Sequence, residues 1–158
     1  MNRRHLPALL ALVALLVAVA VYTNPALLIV GYDTTAVTAV DGETDAELAT
    51  VEARVADDAR KRYVGLSETE SLDGDEGMLF VHDEPGEYGY VMRDMAFPID
   101  IIFADEDGVV TTIYEAEPES RPLTTYEGEG QYVLEVRMGW SEEHGLEEGD
   151  RLVFDLDG

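Results

Sequence analysis

Alternating apolar and polar positions predict a series of short β-strands in the second two-thirds of the chain. Val51, Ala53 and Val55 alternate with charged residues, which is typical of a strand with one buried face. Further strands are predicted at six stretches with apolar runs or alternation, residues 78–82, 88–92, 99–103, 109–114, 132–136 and 152–156.

Turn residues separate these strands. The acidic segment 105–108, which ends in Gly108, predicts a hairpin between the third and fourth of these stretches. The segment 83–86 is expected to end the strand at 78–82 in a turn. Residues 115–131 contain two prolines and two glycines and are expected to form a long loop.

Two short helices interrupt the strand pattern. Asp57 is expected to cap a helix over residues 59–64, which Gly65 would end. Ser141 is expected to cap a second helix, which Gly145 would close. Short strands with only two brief helices predict a mainly β domain, either a compact, jelly-roll-like β-sandwich or a partly closed barrel.

The N-terminus is strongly apolar. Arg3, Arg4 and His5 precede residues 6–22, an apolar run that continues after a break to Val30. A helix over residues 6–30 would be about 37 Å long, enough to cross a hydrocarbon core of about 30 Å. The preceding basic residues predict a cytoplasmic N-terminus and a domain outside the cytoplasm at the cell membrane.

A cleaved secretory signal is the alternative, because Ala18-Val19-Ala20 resembles a small-residue cleavage site, and the domain would then be secreted. Both interpretations place the rest of the chain outside the cytoplasm. The expected organisation is therefore an anchor or signal at residues 1–32, a tether or first strand at 33–50 and the β-rich domain at 51–158.

The outer part of the chain is extremely acidic. Asp and Glu number 34 against 10 Lys and Arg, and residues 33–158 carry all the acids but only eight bases, a net charge of −26. Such a surface repels nucleic-acid phosphates, so no nucleic-acid partner is expected. Acids spread along the whole domain, with a single lysine, indicate adaptation to molar salt, which screens self-repulsion.

Little in the sequence indicates a metal or cofactor. The chain has no cysteine, which excludes disulfides, thiolate metal sites and a cysteine nucleophile. His5, His82 and His144 are too scattered for a metal-ligand motif, and residues 105–107 lack a twelve-residue calcium loop. No phosphate-binding glycine loop or serine nucleophile elbow is present. We therefore expect no metal and no cofactor.

Three ordered segments carry a resemblance to a known family. They are residues 77–81 (GMLFV), residues 92–103 (MRDMAFPIDIIF) and residues 132–150, which begin with YVLEV and include Gly139-Trp140 and Gly149-Asp150. This series resembles domain of unknown function family 192, also called UPF0127, over residues 51–156. The resemblance implies a compact, jelly-roll-like β-sandwich with short helices, often behind a signal or anchor, and implies no activity.

The chain departs from that family's pattern in two places. Members commonly carry an aromatic-aromatic-Met-Lys-Asn run where residues 90–94 read YVMRD, and many have a Cys-Pro-rich loop where residues 118–123 contain no cysteine. A family function that needs those cysteines or that amide would not carry over to this chain.

Asp100 is the most conspicuous candidate residue, because it lies among isoleucines in a predicted strand. Such a carboxylate needs a partner, and we expect either an ion pair with Arg93 or backbone hydrogen bonds. Asp94 is about 20 Å away along an extended strand, too far for an acid/base pair unless the chain bends sharply at Phe97-Pro98. Glu135 is the better second carboxylate, although a charged residue at an alternate strand position is normally solvated.

We expect a non-catalytic extracytoplasmic module that binds an unknown small ligand or envelope partner through Arg93, Asp94 and the loop at 115–131, with Tyr90 and Tyr126 as aromatic contacts. One alternative is a cell-surface hydrolase that uses Asp100 and Glu135 with Arg93. Another is a purely structural envelope component with no pocket.

Overall fold

The computed structural model describes residues 6–24, 29 and 31–156, which fall into two units, Met1–Gly31 and Tyr32–Gly158. In the first unit, helix α1 spans Leu6–Thr23 and contains no charged residue. Within the described residues, no helix is both long enough and apolar enough to cross a membrane. The basic residues Arg3, Arg4 and His5, and all of the second apolar run except Ile29, lie outside the described residues.

The described residues of the second unit form seven strands and two short helices. The strands are β1 (Thr34–Val40), β2 (Glu47–Ala56), β3 (Glu76–Tyr90), β4 (Ile99–Ala104), β5 (Val110–Ala116), β6 (Tyr126–Arg137) and β7 (Arg151–Val153). The helices are α2 (Ala59–Val64), between β2 and β3, and α3 (Trp140–His144), between β6 and β7.

All seven strands belong to one sheet with the order β5-β4-β6-β3-β2-β1-β7. Only β2 and β3 pair in parallel, because their connection crosses over through α2, whereas the other neighbours are antiparallel. Val109, just before β5, forms a bridge with Arg151 of β7, so the two ends of the sheet meet. A single curled sheet confirms the partly closed barrel, one of the two predicted architectures.

The sheet is buried on both faces. One face carries a cluster of side chains that includes Ile102, Leu134 and Trp140, and we call it the Trp140 face. The other carries Met78, Phe80 and Ile101, and we call it the Phe80 face. The lining of the Phe80 face includes Leu66, which follows α2, and Met92, which follows β3. Both segments cover a surface that would otherwise be exposed to solvent.

The predicted turn at residues 83–86 is wrong, because β3 continues through it to Tyr90. The pairing of β3 with β6 shifts register between Val81 and Gly86, so the extra residues form an irregularity inside one long strand. The loop predicted at residues 115–131 is shorter in the structure, because the strands on both sides extend into it. β5 continues to Ala116 and β6 begins at Tyr126, which leaves only nine residues between them.

Both predicted helices exist, and α2 spans the predicted residues 59–64, but the residue at the N-cap of each helix differs from the predicted one. Asp58, rather than Asp57, is the N-cap of α2, and its carboxylate accepts the amides of Arg60 and Lys61. Asp57 instead pairs with Lys61 at 2.8 Å. Gly65 and Gly145 end the two helices, as predicted.

Candidate functional site

Asp100 is a structural group in β4. Its side chain points to the Trp140 face, because Asp100 lies opposite Val136 of β6, and cross-strand partners share a face. It is 1% exposed, and its two carboxylate oxygens accept the amides of Gly139 at 2.9 Å and Ser141 at 2.8 Å. The carboxylate therefore caps the N-terminus of α3 from a neighbouring strand.

This arrangement corrects two expectations. Arg93 forms no ion pair with Asp100; its nearest acidic neighbour is Asp94, at 4.0 Å. Ser141 lies inside α3 and does not cap it, since the N-cap position is Gly139 with a positive φ of 82°. The predicted alternative partner, backbone hydrogen bonding, is what satisfies Asp100.

Glu135 is buried rather than solvated. It lies opposite Met78 of β3 and Ile101 of β4, both on the Phe80 face, and it is 6% exposed. The expectation of a solvated residue was wrong because the segments after α2 and β3 cover this face. Asp100 and Glu135 thus belong to adjacent strands but point to opposite faces of the sheet, so they cannot flank one bond of a substrate.

A cleft of about 300 Å³ opens on the Phe80 face, and we call it the α2–β3 cleft. α2 and the residues after it form one wall, β3 and the segment up to Met95 form the other, and Glu135 contributes from β6. Its polar or aromatic side chains are Arg62, Tyr63, Ser67, Phe80, His82, Tyr88, Tyr90, Arg93 and Glu135. Other surface depressions among the described residues have volumes of about 320, 450 and 510 Å³.

The carboxyl group of Glu135 forms no hydrogen bond or ion pair with any described residue, although it lines the cleft. Burial raises the pKa of Glu135 to about 8. The group is therefore mostly protonated at neutral pH. The Glu135 oxygens are not among the fully enclosed unpaired atoms of the described residues, so they reach the solvent of the cleft, whereas Asp100 is fully paired by backbone amides.

His82 and Tyr90 form a polar pair beside Glu135. The Nε2 atom of His82 lies 2.9 Å from the Tyr90 hydroxyl, and the imidazole stacks on Tyr88 with ring centroids 3.5 Å apart. Burial, helped by the positive charge of Arg62, lowers the pKa of His82 to about 4, so the imidazole is neutral. Burial and the nearby Glu135 raise the pKa of Tyr90, which keeps its hydroxyl protonated.

Arg93 fixes one wall of the cleft. Its guanidinium donates to the backbone carbonyl of Tyr63 in α2 and lies over the Tyr63 ring, 3.9 Å from the centroid. Arg93 follows the buried Met92 and precedes Asp94, which adopts a positive φ of 57°. The motif at residues 92–94 therefore connects the end of β3 to α2.

The other predicted ligand-binding residues divide between cleft and surface. Tyr90 and Arg93 line the cleft, whereas Asp94 and Tyr126 do not. Asp94 has an exposed side chain, and Tyr126 begins β6 and packs edge-on against Tyr114. The loop at 117–125 contributes nothing to this cleft.

Sequence reasoning missed Arg62, Tyr63 and His82. Arg62 and Tyr63 belong to a helix that was predicted, but its packing against β3 has no signal in the sequence. His82 was considered only as a metal ligand. Among the described residues, no group of three or more acidic or histidine side chains could hold a metal ion.

Fold and site together define a small, mainly β domain of the partly closed barrel type, with a polar cleft beside its crossover helix. The chain belongs to domain of unknown function family 192, described as Uncharacterized ACR, whose model matches residues 40–154. This confirms the resemblance seen in residues 77–150. None of the curated proteins matches the chain.

Two solved structures are similar. One is a proposed transcription regulator from Sinorhizobium meliloti, 28% identical with a TM-score of 0.72; the match covers 80% of this chain and 97% of that one. The other is a protein of unknown function from Novosphingobium aromaticivorans, 26% identical with a TM-score of 0.70; the match covers 80% of this chain and 89% of that one.

The cap formed by Asp100 leads to a stability prediction. Asp100→Ala leaves two amides at the start of α3 without their acceptor, which we expect to lower the free energy of unfolding by about 3 kcal/mol. Asp100→Asn keeps one acceptor oxygen and should lose less. Urea denaturation in molar salt measures both, with Asp107→Ala in the exposed hairpin turn as control. An Asp100→Ala variant as stable as the wild type would contradict the capping role.

The raised pKa of Glu135 predicts a pH dependence of stability. The folded state holds this proton up to about pH 8, whereas the unfolded chain releases it near pH 4.5, so stability falls as pH rises between these values. Between about pH 6.5 and pH 8.5 the loss should be about 2 kcal/mol. His82, with its lowered pKa, has the opposite effect, but only below about pH 6.5.

Glu135→Gln should remove this slope, whereas Glu127→Gln, an exposed change on the same strand, should keep it. Thermal unfolding of the three proteins across this pH range gives the comparison. Equal slopes for wild type and Glu135→Gln would show that the Glu135 carboxyl is not held protonated by burial.

Proposed function

We propose that the domain is a non-catalytic binding module that takes a small polar ligand into the α2–β3 cleft. The single observation that supports this most strongly is the Glu135 carboxyl, which is buried, unpartnered among the described residues and part of the cleft lining. A ligand that hydrogen-bonds to this group removes the cost of its burial. The cleft volume of about 300 Å³ lies at the lower end of the range for small-molecule sites.

The wall opposite β3 is preorganised. Arg93 holds the carbonyl and ring of Tyr63, and Arg62 donates through Nη1 to the carbonyls of Asp57 at 2.9 Å and Val81 at 2.6 Å. These contacts attach α2 to β3 and to the residues that follow β3 before any ligand arrives. A preformed wall favours binding, because less side-chain order has to be gained on association.

The hydrolase alternative gains no support from the site. Its two carboxylates face opposite sides of the sheet, and both oxygens of Asp100 are engaged by α3. A role in transcription, suggested by the description of the Sinorhizobium meliloti protein, is also disfavoured for this chain. With eight bases against 34 acids, residues 33–158 would be repelled by DNA phosphates.

A screen of small polar metabolites against the full chain tests the binding proposal. We expect at least one compound to raise the melting temperature of the wild type and of Glu127→Gln, and to bind Glu135→Gln at least about tenfold more weakly, since a buried hydrogen bond is lost. Isothermal titration measures the affinities. Backbone amide shifts should change along α2 and in residues 82–95.

Two outcomes would overturn the proposal. One is equal binding of every hit by Glu135→Gln and wild type. The other is a set of shift changes confined to residues outside the cleft. A screen without any hit would favour the purely structural envelope component.

We further propose that the module is held at the outer face of the cell membrane by residues 6–30 and works in molar salt. The support is the sequence: basic residues 3–5 precede an apolar run, and the acids are spread over the whole domain. A retained anchor keeps ligand binding close to the membrane, whereas cleavage after residue 20 would release the domain.

Cell fractionation and intact mass separate these two fates. We expect the full 158 residues in the membrane fraction after alkaline washing, with the domain accessible to external protease. Deletion of residues 6–23 should abolish both membrane association and export. A mass that begins after residue 20 would instead identify a secreted domain and contradict the tether.

A further inference from the structure

We infer that the ligand of the α2–β3 cleft is a small zwitterion with an apolar substituent, whose ammonium group contacts Glu135 and whose carboxylate contacts Arg62 and Arg93. This inference rests on the proposed function, since it names the class of ligand for the same site. It is carried by the distribution of charge around the cleft, by the donors that remain on the two arginines and by the apolar part of the lining.

Basic residues are concentrated around the α2–β3 cleft. Four of the eight bases in residues 33–158 are Arg60, Lys61, Arg62 and Arg93, on α2 or in contact with it. Two of them, Arg62 and Arg93, line the same cleft as the buried Glu135. Neither lies within 4.0 Å of the Glu135 carboxyl, so the two signs of charge share one cleft without neutralising each other.

Arg62 and Arg93 keep N–H donors that form no hydrogen bond with a described residue. Arg62 uses only Nη1 for its hydrogen bonds to described residues, and Arg93 uses only Nη2. A guanidinium has five N–H donors, so each arginine keeps several for a ligand. Their acidic neighbours, Asp83 at 3.9 Å and Asp94 at 4.0 Å, have highly exposed side chains and neutralise little of this charge.

Ligands with a single charged group fit the cleft less well. A ligand with only an ammonium group would satisfy Glu135 but would meet two guanidinium groups in the same cleft. A ligand with only a carboxylate would suit the arginines but would bring no cationic group to the Glu135 carboxyl. A molecule that carries both groups removes both penalties, because guanidinium recognises carboxylate well and a buried carboxyl gains most from a charged partner.

The apolar residues of the cleft lining indicate which substituent the ligand carries. Val64, Leu66, Phe80 and Met95 add apolar surface to the same lining. A branched apolar side chain on the zwitterion would cover this surface and gain from the removal of water. L-Leucine is therefore a suitable probe, and its decarboxylated and deaminated analogues, isoamylamine and isocaproate, keep the same substituent with one charge each.

Binding should also depend on pH. The titratable and charged groups that share the cleft with Glu135 are His82, Tyr88 and Tyr90 on β3, Arg62 and Tyr63 on α2, and Arg93 after β3. Burial raises the pKa of Glu135 to about 8 and lowers that of His82 to about 4, so Glu135 rather than His82 changes charge between about pH 6.5 and pH 8. Contact with an ammonium group favours the ionised carboxylate, so binding should release a proton below that pH and tighten as pH rises from about 6.5 to about 8.

The test is isothermal titration of the full chain in molar salt with L-leucine, isoamylamine, isocaproate and neutral isocaproamide. We expect leucine to bind at least about tenfold more tightly than any analogue, since each lost charge pair removes a charge-assisted hydrogen bond. Titration in two buffers of different ionisation enthalpy should show proton release near pH 7.

Glu135→Gln supplies the decisive comparison. Removal of this carboxyl should weaken leucine binding at least about tenfold while it leaves isocaproate binding unchanged or improved, so that the preference between the two disappears or reverses. Glu127→Gln is the matched control and should keep the wild-type order. A variant that merely unfolded would bind neither compound, so the retained isocaproate binding distinguishes lost specificity from lost structure.

The outcomes separate this inference from the proposed function. Binding of isoamylamine or isocaproate as tight as that of leucine, and still sensitive to Glu135→Gln, would overturn the zwitterion and leave the cleft as the binding site. Binding that is indifferent to Glu135→Gln would overturn both. No binding by any of the four probes would overturn the zwitterionic class named here, while the metabolite screen decides on the cleft itself.

Discussion

β6 runs through the middle of the sheet, between β4 and β3, and its residues 133–136 are buried from both sides. Every polar side chain in such a strand must find a partner or bear the cost of desolvation. The rest of the domain is arranged around this condition. α3 and the curled ends of the sheet enclose the Trp140 face, and the segments after α2 and β3 cover the Phe80 face.

Two buried acidic residues, Asp100 in β4 and Glu135 in β6, differ in whether their carboxyl groups have a hydrogen-bond partner among the described residues. Asp100 is 1% exposed, and its burial is compensated by two amides at the start of α3, where the carboxylate also faces the positive end of the helix. Glu135 is 6% exposed and has no compensating donor among the described residues. The first pattern is that of a structural residue, and the second is the one that the proposed binding role of Glu135 would explain.

Local patterns in the sequence were sufficient for most of the strands, for the β4–β5 hairpin and for the existence of both helices. They were insufficient wherever a contact distant in sequence decides the outcome. The turn-forming residues 83–86 remain inside β3 because the pairing with β6 resumes beyond them. The N-cap of α3 is Gly139 rather than Ser141, and the carboxylate that accepts the first amides of the helix belongs to Asp100, about forty positions earlier.

The candidate site was only half predictable for the same reason. Arg93, Tyr90 and Glu135 were recognisable from the sequence as unusual residues in or next to apolar strands. That Glu135 points to a covered face depends on where α2 and the segment after β3 lie, which is tertiary information. Arg62 and Tyr63 could not be singled out, since their position in a predicted short helix gives no indication that the helix forms one wall of a cleft.

The cleft also differs electrostatically from the surface around it. In molar salt the Debye length is about 3 Å, so the exposed acids exert little force beyond direct contact and cannot select a ligand by long-range attraction. A group removed from solvent escapes much of this screening, and Glu135 is such a group. Under the proposed binding function in molar salt, selectivity for charge would therefore come from the few side chains that line the cleft, and the net charge of −26 of residues 33–158 would be a poor guide to the ligand.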